Sequence, residues 1–158
     1  MEEKRKFDPN YMTDSAVYFY TPRYYAFDNF SAFNVDIWGQ VFPTAEHAYQ
    51  WKKYSKSSPD LAQQVLEAPS AYATKKISDA NKDVVDALWA EEKVERMEEI
   101  VRAKLEQHEK VKSLLLETEE KEIIENSPKD YFWGIGEDGT GENNLGKLWM
   151  KLRDEVRK

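Results

Sequence analysis

Apolar residues recur at spacings near three and four over most of the chain. Short aromatic and β-branched runs interrupt that pattern only near the start and after residue 120. Residues 15–20 (Ser-Ala-Val-Tyr-Phe-Tyr) read as a strand stopped by Thr21-Pro22, and the aromatic segment 24–30 reads as a loop. Segments 34–38 and 40–42 flank Gly39 and predict a short hairpin. A helix capped by Thr44 follows, then one opened by Ser58-Pro59, then one opened by Ala68-Pro69-Ser70 and running through Ile77. Val84, Val85, Leu88, Met97, Val101 and Leu105 predict helix over 81–107, with a break near Trp89, and 109–116 reads as a further helix. Ile123-Ile124 and Tyr131-Phe132-Trp133 read as strand-like pieces around a turn at 127–130. Leu145, Leu148, Trp149, Leu152 and Val156 share one face of a last helix, capped near Asn143 or Asn144. The expectation is an α+β fold, mostly helical with a small sheet and hairpin: a polar lead-in over 1–14 and one domain over 15–158.

Composition narrows this picture. The chain has 158 residues, 41% of them hydrophobic, which suits one ordered domain with a real core. Five Trp and nine Tyr exceed what a core of this size needs, so some are expected at a binding surface. The formal charge of −7 excludes diffuse attraction to nucleic acid or an anionic membrane as the binding principle. There is no cysteine, which removes disulfides, thiolate nucleophiles and the common structural zinc sites. With His47 and His108 alone, no metal site or cofactor is expected. The polar start leads into no apolar run, and no stretch approaches the ~18 to 20 apolar residues of a membrane span. A soluble, cytoplasmic protein is the expectation.

The richest chemistry falls in Pro43-Thr44-Ala45-Glu46-His47-Ala48-Tyr49-Gln50-Trp51-Lys52-Lys53. Glu46 occupies the first helical turn, where the helix dipole favours a carboxylate. Gln50 and Lys53, four and seven residues on, line the same stripe, with Tyr49, Trp51 and Tyr54 among them. That arrangement suits a polar reacting site floored by aromatics. The same spacing fits a capped amphipathic helix with a solvated edge, so it does not choose between them.

Other motifs divide in the same way. Gly134-Ile135-Gly136-Glu137-Asp138-Gly139 has the spacing of a dinucleotide loop but lacks the βαβ context, and its acids would repel a pyrophosphate. Glu46-His47 resembles part of a zincin helix, but Gln50 stands where the second histidine belongs. His47 is expected to bond within the fold and His108 to be solvated. Lys104 is either an anion anchor or, more simply, half of a surface salt bridge. Asp130-Tyr131-Phe132-Trp133-Gly134 can present an acid and a stacking ring to one cleft, or Asp130 can cap a turn with Trp133 in the core.

In order, Phe19-Tyr20, Phe27-x-Asn29-Phe30, Gly39, Pro43-Thr44-x-Glu46-His47-x-x-Gln50-x-x-Lys53, Trp89, Met97, Lys104, Asp130-x-x-Trp133-Gly134 and Gly141-x-Asn143-x-Leu145-Gly146-x-Leu148-x-Met150-x-x-Arg153 resemble the NADAR (YbiA-like) family across almost the whole chain. The resemblance implies an N-glycosidase that cleaves the bond between a ribosyl anomeric carbon and nitrogen. The implied substrate is a phosphorylated N-riboside, either a phosphoribosylamino-pyrimidine intermediate of riboflavin synthesis or a related metabolite of NAD or ADP-ribose. Removal of ADP-ribose from guanine in nucleic acid, and non-catalytic binding of an NAD-derived ligand, are the alternatives. By position, the resemblance implies Glu46, Asp130 and Lys53 as catalytic residues, and Asn29, Phe30, Gln50, Trp89, Trp133 and Gly134 as substrate-binding ones. Tyr25, Asp28 and Asp86 depart from the family pattern.

Breaking an N-ribosyl bond builds positive charge on the anomeric carbon, which a carboxylate stabilises while it activates water. Glu46 is expected in that role. Asp130 would orient the ribose or act as the second acid/base, and Trp133 with Phe30 or Trp89 would stack on the base. Lys53 has three possible tasks: donating to a phosphate, protonating the leaving nitrogen, or attacking as an amine.

Overall fold

The computed structural model describes residues 10–20 and 25–158. The expected stop at Thr21-Pro22 and the ring of Tyr24 lie outside the described residues, as does most of the lead-in; of Tyr25 only the backbone is described. Three strands, β1 (Tyr11–Met12), β2 (Ala16–Phe19) and β5 (Glu122–Glu125), form one sheet in the order β1-β2-β5. β2 runs antiparallel to β1 and parallel to β5, with Val17 opposite Ile123 and Phe19 opposite Glu125. Tyr11 stacks on Tyr18 across the first pair, at 4.2 Å between ring centres, so the sheet takes in part of the segment read as a lead-in.

The predicted hairpin is present as β3 (Val35–Ile37) and β4 (Gln40–Phe42). Its two turn residues, Trp38 and Gly39, have φ of 53° and 76°. Two positive φ values in succession match the right-handed twist of the strands, and Trp38 occupies a region that non-glycine residues seldom adopt.

Six α-helices make up most of the other described residues: α1 (Ala45–Tyr54), α2 (Pro59–Glu67), α3 (Ala71–Asp79), α4 (Trp89–Gln107), α5 (Glu109–Glu117) and α6 (Asn144–Val156). Thr44 caps α1 by accepting the His47 N–H at 3.1 Å, and Ser70 caps α3 by accepting that of Ala73 at 3.0 Å. Ser58 precedes α2 without a side-chain cap bond, and Pro59 fixes its first turn. The break expected near Trp89 is where α4 begins; the stretch before it is a 3-10 turn (Lys82–Val84) rather than α-helix. Asp86 follows that turn, accepts from the Lys56 and Ser57 N–H groups, and donates its own N–H to the Lys53 carbonyl.

Two further readings are corrected. Residues 131–133 are bends, not strand. The Asp130 carboxylate takes the N–H groups of Phe132 and Trp133 and curls the chain away from any ladder. His108 is not free in solvent: its Nε2 donates to the Asn34 carbonyl at 2.7 Å and its ring meets Phe33 edge-on. His47 bonds within the fold as expected, its Nε2 donating to the Ala68 carbonyl and its Nδ1 accepting from Thr44.

The main core lies between the sheet and helices α1, α4, α5 and α6, around Phe19, Phe27, Met97, Ile100, Ile123 and Trp149. A smaller cluster joins Tyr54 to Leu61, Ala62 and Val65 of α2. Asn143, in the left-handed region, occupies the cap position of α6, but its side chain makes no cap bond. It bridges instead to β5, Oδ1 accepting the Glu125 N–H and Nδ2 donating to the Ile123 carbonyl. A Cβ on Gly146 would stand 2.0 Å from that same carbonyl, so only glycine lets α6 seat so close to the strand.

Candidate active site

Glu46 is the centre of the site. Its backbone N–H donates to the Asn29 carbonyl at 3.0 Å, which ties the first turn of α1 to the loop after Phe27. The residue is 7% exposed, so the solvated-edge alternative fails. Gln50 Nε2 donates to Glu46 Oε1 at 2.7 Å. Burial raises the Glu46 pKa to about 7; the Gln50 hydrogen bond opposes the rise, the Asp28 charge adds to it, and Lys75 and Lys53 oppose it. Such a carboxyl is poised for proton transfer near neutrality.

Lys53, the third member of the stripe, turns toward α3 and donates to Ser78 Oγ at 3.0 Å. Burial lowers its pKa, against the attraction of Glu46 and Asp79; the positive charges of Lys82 and Lys93 lower it further. The aromatic floor is narrower than expected. Tyr49 meets Trp89 at 5.1 Å and Trp133 at 5.8 Å and 89°, and Trp133 Nε1 donates to the Tyr49 hydroxyl at 3.2 Å. Trp51 instead stacks with Trp38 beside Phe42, and Tyr54 bonds to Ser78 and Asn81 in the second cluster. Trp89 and Trp133 are 6% and 8% exposed, so neither offers a ligand an open face.

Asp130 does cap a turn, and Trp133 does sit in the core. Asp130 Oδ1 holds both backbone donors, at 3.0 and 2.8 Å, leaving Oδ2 outside that turn. Asp130 and Glu46 nevertheless share neighbours. Tyr49, Glu125 and Lys75 each experience the charge of both carboxylates. Burial is the main cause of the raised Tyr49 hydroxyl, with Glu46 and Asp130 adding to it. Gly134 completes this corner: a Cβ there would lie 2.9 Å from the Glu125 carbonyl oxygen and 3.0 Å from that of Asp130.

The loop after Phe27 is pinned by Lys104, for which the sequence favoured a surface salt bridge over an anion anchor. Lys104 is completely buried and donates to the Asp28 carbonyl at 3.0 Å and to Ser31 Oγ at 2.8 Å. Burial lowers its pKa to about 7, against the pull of Asp28. Asp28 Oδ1 accepts the Phe30 N–H at 2.9 Å, and Asn29 Nδ2 points at Met97 Sδ at 3.4 Å. Phe30 is partly buried beside them. Lys93 lies 3.7 Å above the Phe132 ring, and Lys75 pairs with Asp79 at 2.9 Å. A rim of lysines therefore stands near a group of buried acids.

Two acids of this group escaped the sequence reading of the site. Asp28 drew notice only as a departure from a pattern. Glu125 drew none, although strand alternation sets it on the same side of β5 as the wholly buried Ile123. Burial, then the charges of Asp130, Asp28 and Glu46, raise its carboxyl well above the usual range. No group of three or more His, Cys, Asp and Glu side chains able to hold a metal ion occurs among the described residues. Two surface hollows, of about 610 and 370 Å³, lie elsewhere. One is lined by Tyr20, Asn126 and the glycine loop at Gly136, the other by Arg102, Lys112 and Glu155, and neither has Glu46 or Asp130 in its wall. The acids are a better guide to the chemistry than these open hollows, because a buried carboxyl with a raised pKa is suited to acid/base work.

Known proteins resemble this chain in both sequence and fold. The NADAR domain family matches residues 18–157. The chain is 30% identical over 147 residues to the N-glycosidase YbiA of Escherichia coli, covering 92% of this chain and 91% of that one. It is 34% identical to an N-glycosidase of Nostoc punctiforme, covering 89% and 92%. It is also 34% identical to a riboflavin biosynthesis protein of Vibrio vulnificus, where the match covers 91% of this chain but 39% of the longer relative. The solution structure of E. coli YbiA superposes with a TM-score of 0.81 at 29% identity, over 94% of this chain and 89% of that one.

Proposed function

The chain belongs to the NADAR family, and from that premise we propose that it hydrolyses the N-ribosyl bond of a phosphorylated small-molecule riboside. The substrate is a phosphoribosylamino-pyrimidine of riboflavin synthesis or a close relative derived from NAD or ADP-ribose. The observation that carries this reading is a buried carboxyl poised near pH 7, Glu46, whose neighbours Tyr49 and Lys75 also feel the charge of a second carboxylate, Asp130. The named activities of the N-glycosidase relatives and of the riboflavin biosynthesis relative favour the same chemistry.

As the bond between the anomeric carbon and nitrogen lengthens, positive charge grows on the sugar ring. Asp130, its Oδ1 fixed by two backbone donors, presents Oδ2 as the fixed negative charge that stabilises that state. Deprotonated Glu46 removes a proton from water as its oxygen bonds to the anomeric carbon. The departing nitrogen keeps the bonding electron pair and takes the proton that Glu46 drew from water, so the products are a free sugar phosphate and an amine and Glu46 is ionised again. Gln50 orients the Glu46 carboxylate, and the edges of Trp89 and Trp133 exclude water behind it. Lys53, Lys75 and Lys93 supply positive charge for the phosphate. This assigns proton transfer to Glu46 and electrostatic stabilisation chiefly to Asp130.

The test is a screen of N-ribosyl compounds with product identification, run beside ADP-ribosylated guanine and a direct binding assay for NAD-derived ligands. Ribose 5-phosphate released by wild type, with loss of at least ~100-fold in Glu46→Gln, is the expected result. Release of ADP-ribose from guanine alone would move the activity to nucleic acid. Tight binding without turnover, unaffected by Glu46→Gln, would replace the enzyme with a binding module.

A further inference from the structure

The mechanism leaves one carboxyl of the group without a task. Glu125 ends β5 with its backbone held on both sides: its N–H donates to Asn143 Oδ1 at 2.9 Å and its carbonyl accepts the Ile135 N–H at 3.1 Å. The side chain folds back over Gly134, where a Cβ would stand 3.1 Å from Oε2. Part of the residue reaches the surface, yet Oε2 is sealed from solvent and no described residue donates to it.

Besides Glu99 Oε2 on α4, three more oxygens share that condition: Asp28 Oδ2, Asn29 Oδ1 and Gln50 Oε1. These three belong to side chains grouped about Glu46. Gln50 donates to it, Asn29 accepts its N–H through the backbone, and the charges of Asp28 and Glu46 both reach Glu125. The Gln50 amide is fixed by its bond to Glu46, so Oε1 is the atom left over. Native structures retain few buried polar atoms without partners, and four around one reacting carboxyl indicate that the ligand supplies the missing bonds. Every one is an oxygen. A phosphate or carboxylate group would be repelled there, whereas adjacent hydroxyls on a small ring bring several donors at once.

Resting on the glycosidase reading, we propose that Glu125 is a substrate-reading side chain whose Oε2, with the free oxygens of Asp28, Asn29 and Gln50, takes the hydroxyl hydrogens of the sugar, so that this site selects ribosyl over deoxyribosyl substrates. Selection is steep in such a site, because an analogue lacking the hydroxyl leaves a buried oxygen unpaired.

The experiment compares kcat/KM of wild type, Glu125→Gln and Glu125→Ala on an N-ribosyl substrate and its 2′-deoxy and 3′-deoxy counterparts, with binding of ribose 5-phosphate and 2-deoxyribose 5-phosphate measured by calorimetry. Wild type is expected to favour the ribosyl substrate by at least ~100-fold. Glu125→Ala is expected to lose about 10- to 100-fold on the ribosyl substrate and far less on the deoxy substrate whose absent hydroxyl faced it; Glu125→Gln, which keeps an oxygen, recovers part of the loss. Equal losses on all three substrates, or a wild type indifferent to the missing hydroxyls, overturn the proposal while leaving the glycosidase reading in place. A wild type that cleaves none of the compounds yet binds ribose 5-phosphate over its deoxy form, in a Glu125-dependent way, does the reverse. Absence of both cleavage and sugar discrimination overturns both.

Discussion

Gln50 and Glu46 stand one turn apart on α1, and Gln50 Nε2 donates at 2.7 Å to a carboxyl otherwise shut off from water. The bond favours the ionised form, so it holds Glu46 below the value that burial alone would impose. If Glu46 works as a base, the rate climbs with pH through about 7 as its proton leaves. Gln50→Leu is expected to move that limb to higher pH and to lower the rate at pH 7. A pH profile of kcat decides the matter: an unmoved midpoint would exclude Glu46 as the titrating base.

The same burial predicts a stability effect opposite in sense to the activity. The folded pKa of Glu46, about 7, lies above its ordinary value of 4.5, so between those limits the native state binds more protons than the unfolded one. The stability contributed by the neutral carboxyl is present below about pH 4.5 and is lost as pH rises through about 7. The loss is about 3 kcal/mol at most. Glu46→Gln, neutral at every pH, should therefore be inactive yet more stable than wild type at pH 8, with the difference shrinking toward pH 4.5. Urea midpoints measured at the two pH values test this. A variant less stable than wild type at pH 8 would mean that the carboxylate is better compensated than its surroundings suggest.

Lys104 gives the complementary slope. Its folded pKa of about 7 lies below its ordinary 10.5, so the unfolded chain binds more protons between those limits and stability rises with pH across them, by up to ~1.4 kcal/mol per unit. Lys104→Met should abolish that rise. It should also free the loop at Asp28 and Ser31, and with it the Asn29 carbonyl that receives the Glu46 N–H. The expected readout is a stability profile shallower than that of wild type from pH 7 to 10 together with a lowered kcat. A profile parallel to wild type would place the titration elsewhere.

Local signals in the sequence were enough for the helices, because caps and spacing act within a few residues: Thr44, Ser70 and the run from Leu145 to Leu152 declare themselves. The glutamate and its glutamine were legible for the same reason, since one turn of helix brings them together. What stayed hidden depends on distant packing. Lys104 looks like any helix-surface lysine until Asp28 and Ser31, more than seventy residues earlier, are folded onto it. Glu125 looks like a strand-end charge until Gly134 closes over it. Asn143 reads as a helix cap because its type and position fit one, but two strand groups from β5 outcompete the helix for its side chain.

That last competition carries its own prediction. Asn143 has φ of 53°, a conformation that glycine adopts without strain. Asn143→Gly therefore removes the bonds to the Glu125 N–H and the Ile123 carbonyl while leaving the backbone bend intact. Two partly buried backbone groups lose their partners, at a cost of about 1–3 kcal/mol each unless water replaces the bonds. The strand end that bears Glu125 and the helix seated on Gly146 are the parts expected to loosen. Amide exchange should quicken at Glu125 while α1 keeps its protection. Unchanged exchange at Glu125 would show that the parallel pairing of β2 with β5 holds the strand end without help from α6.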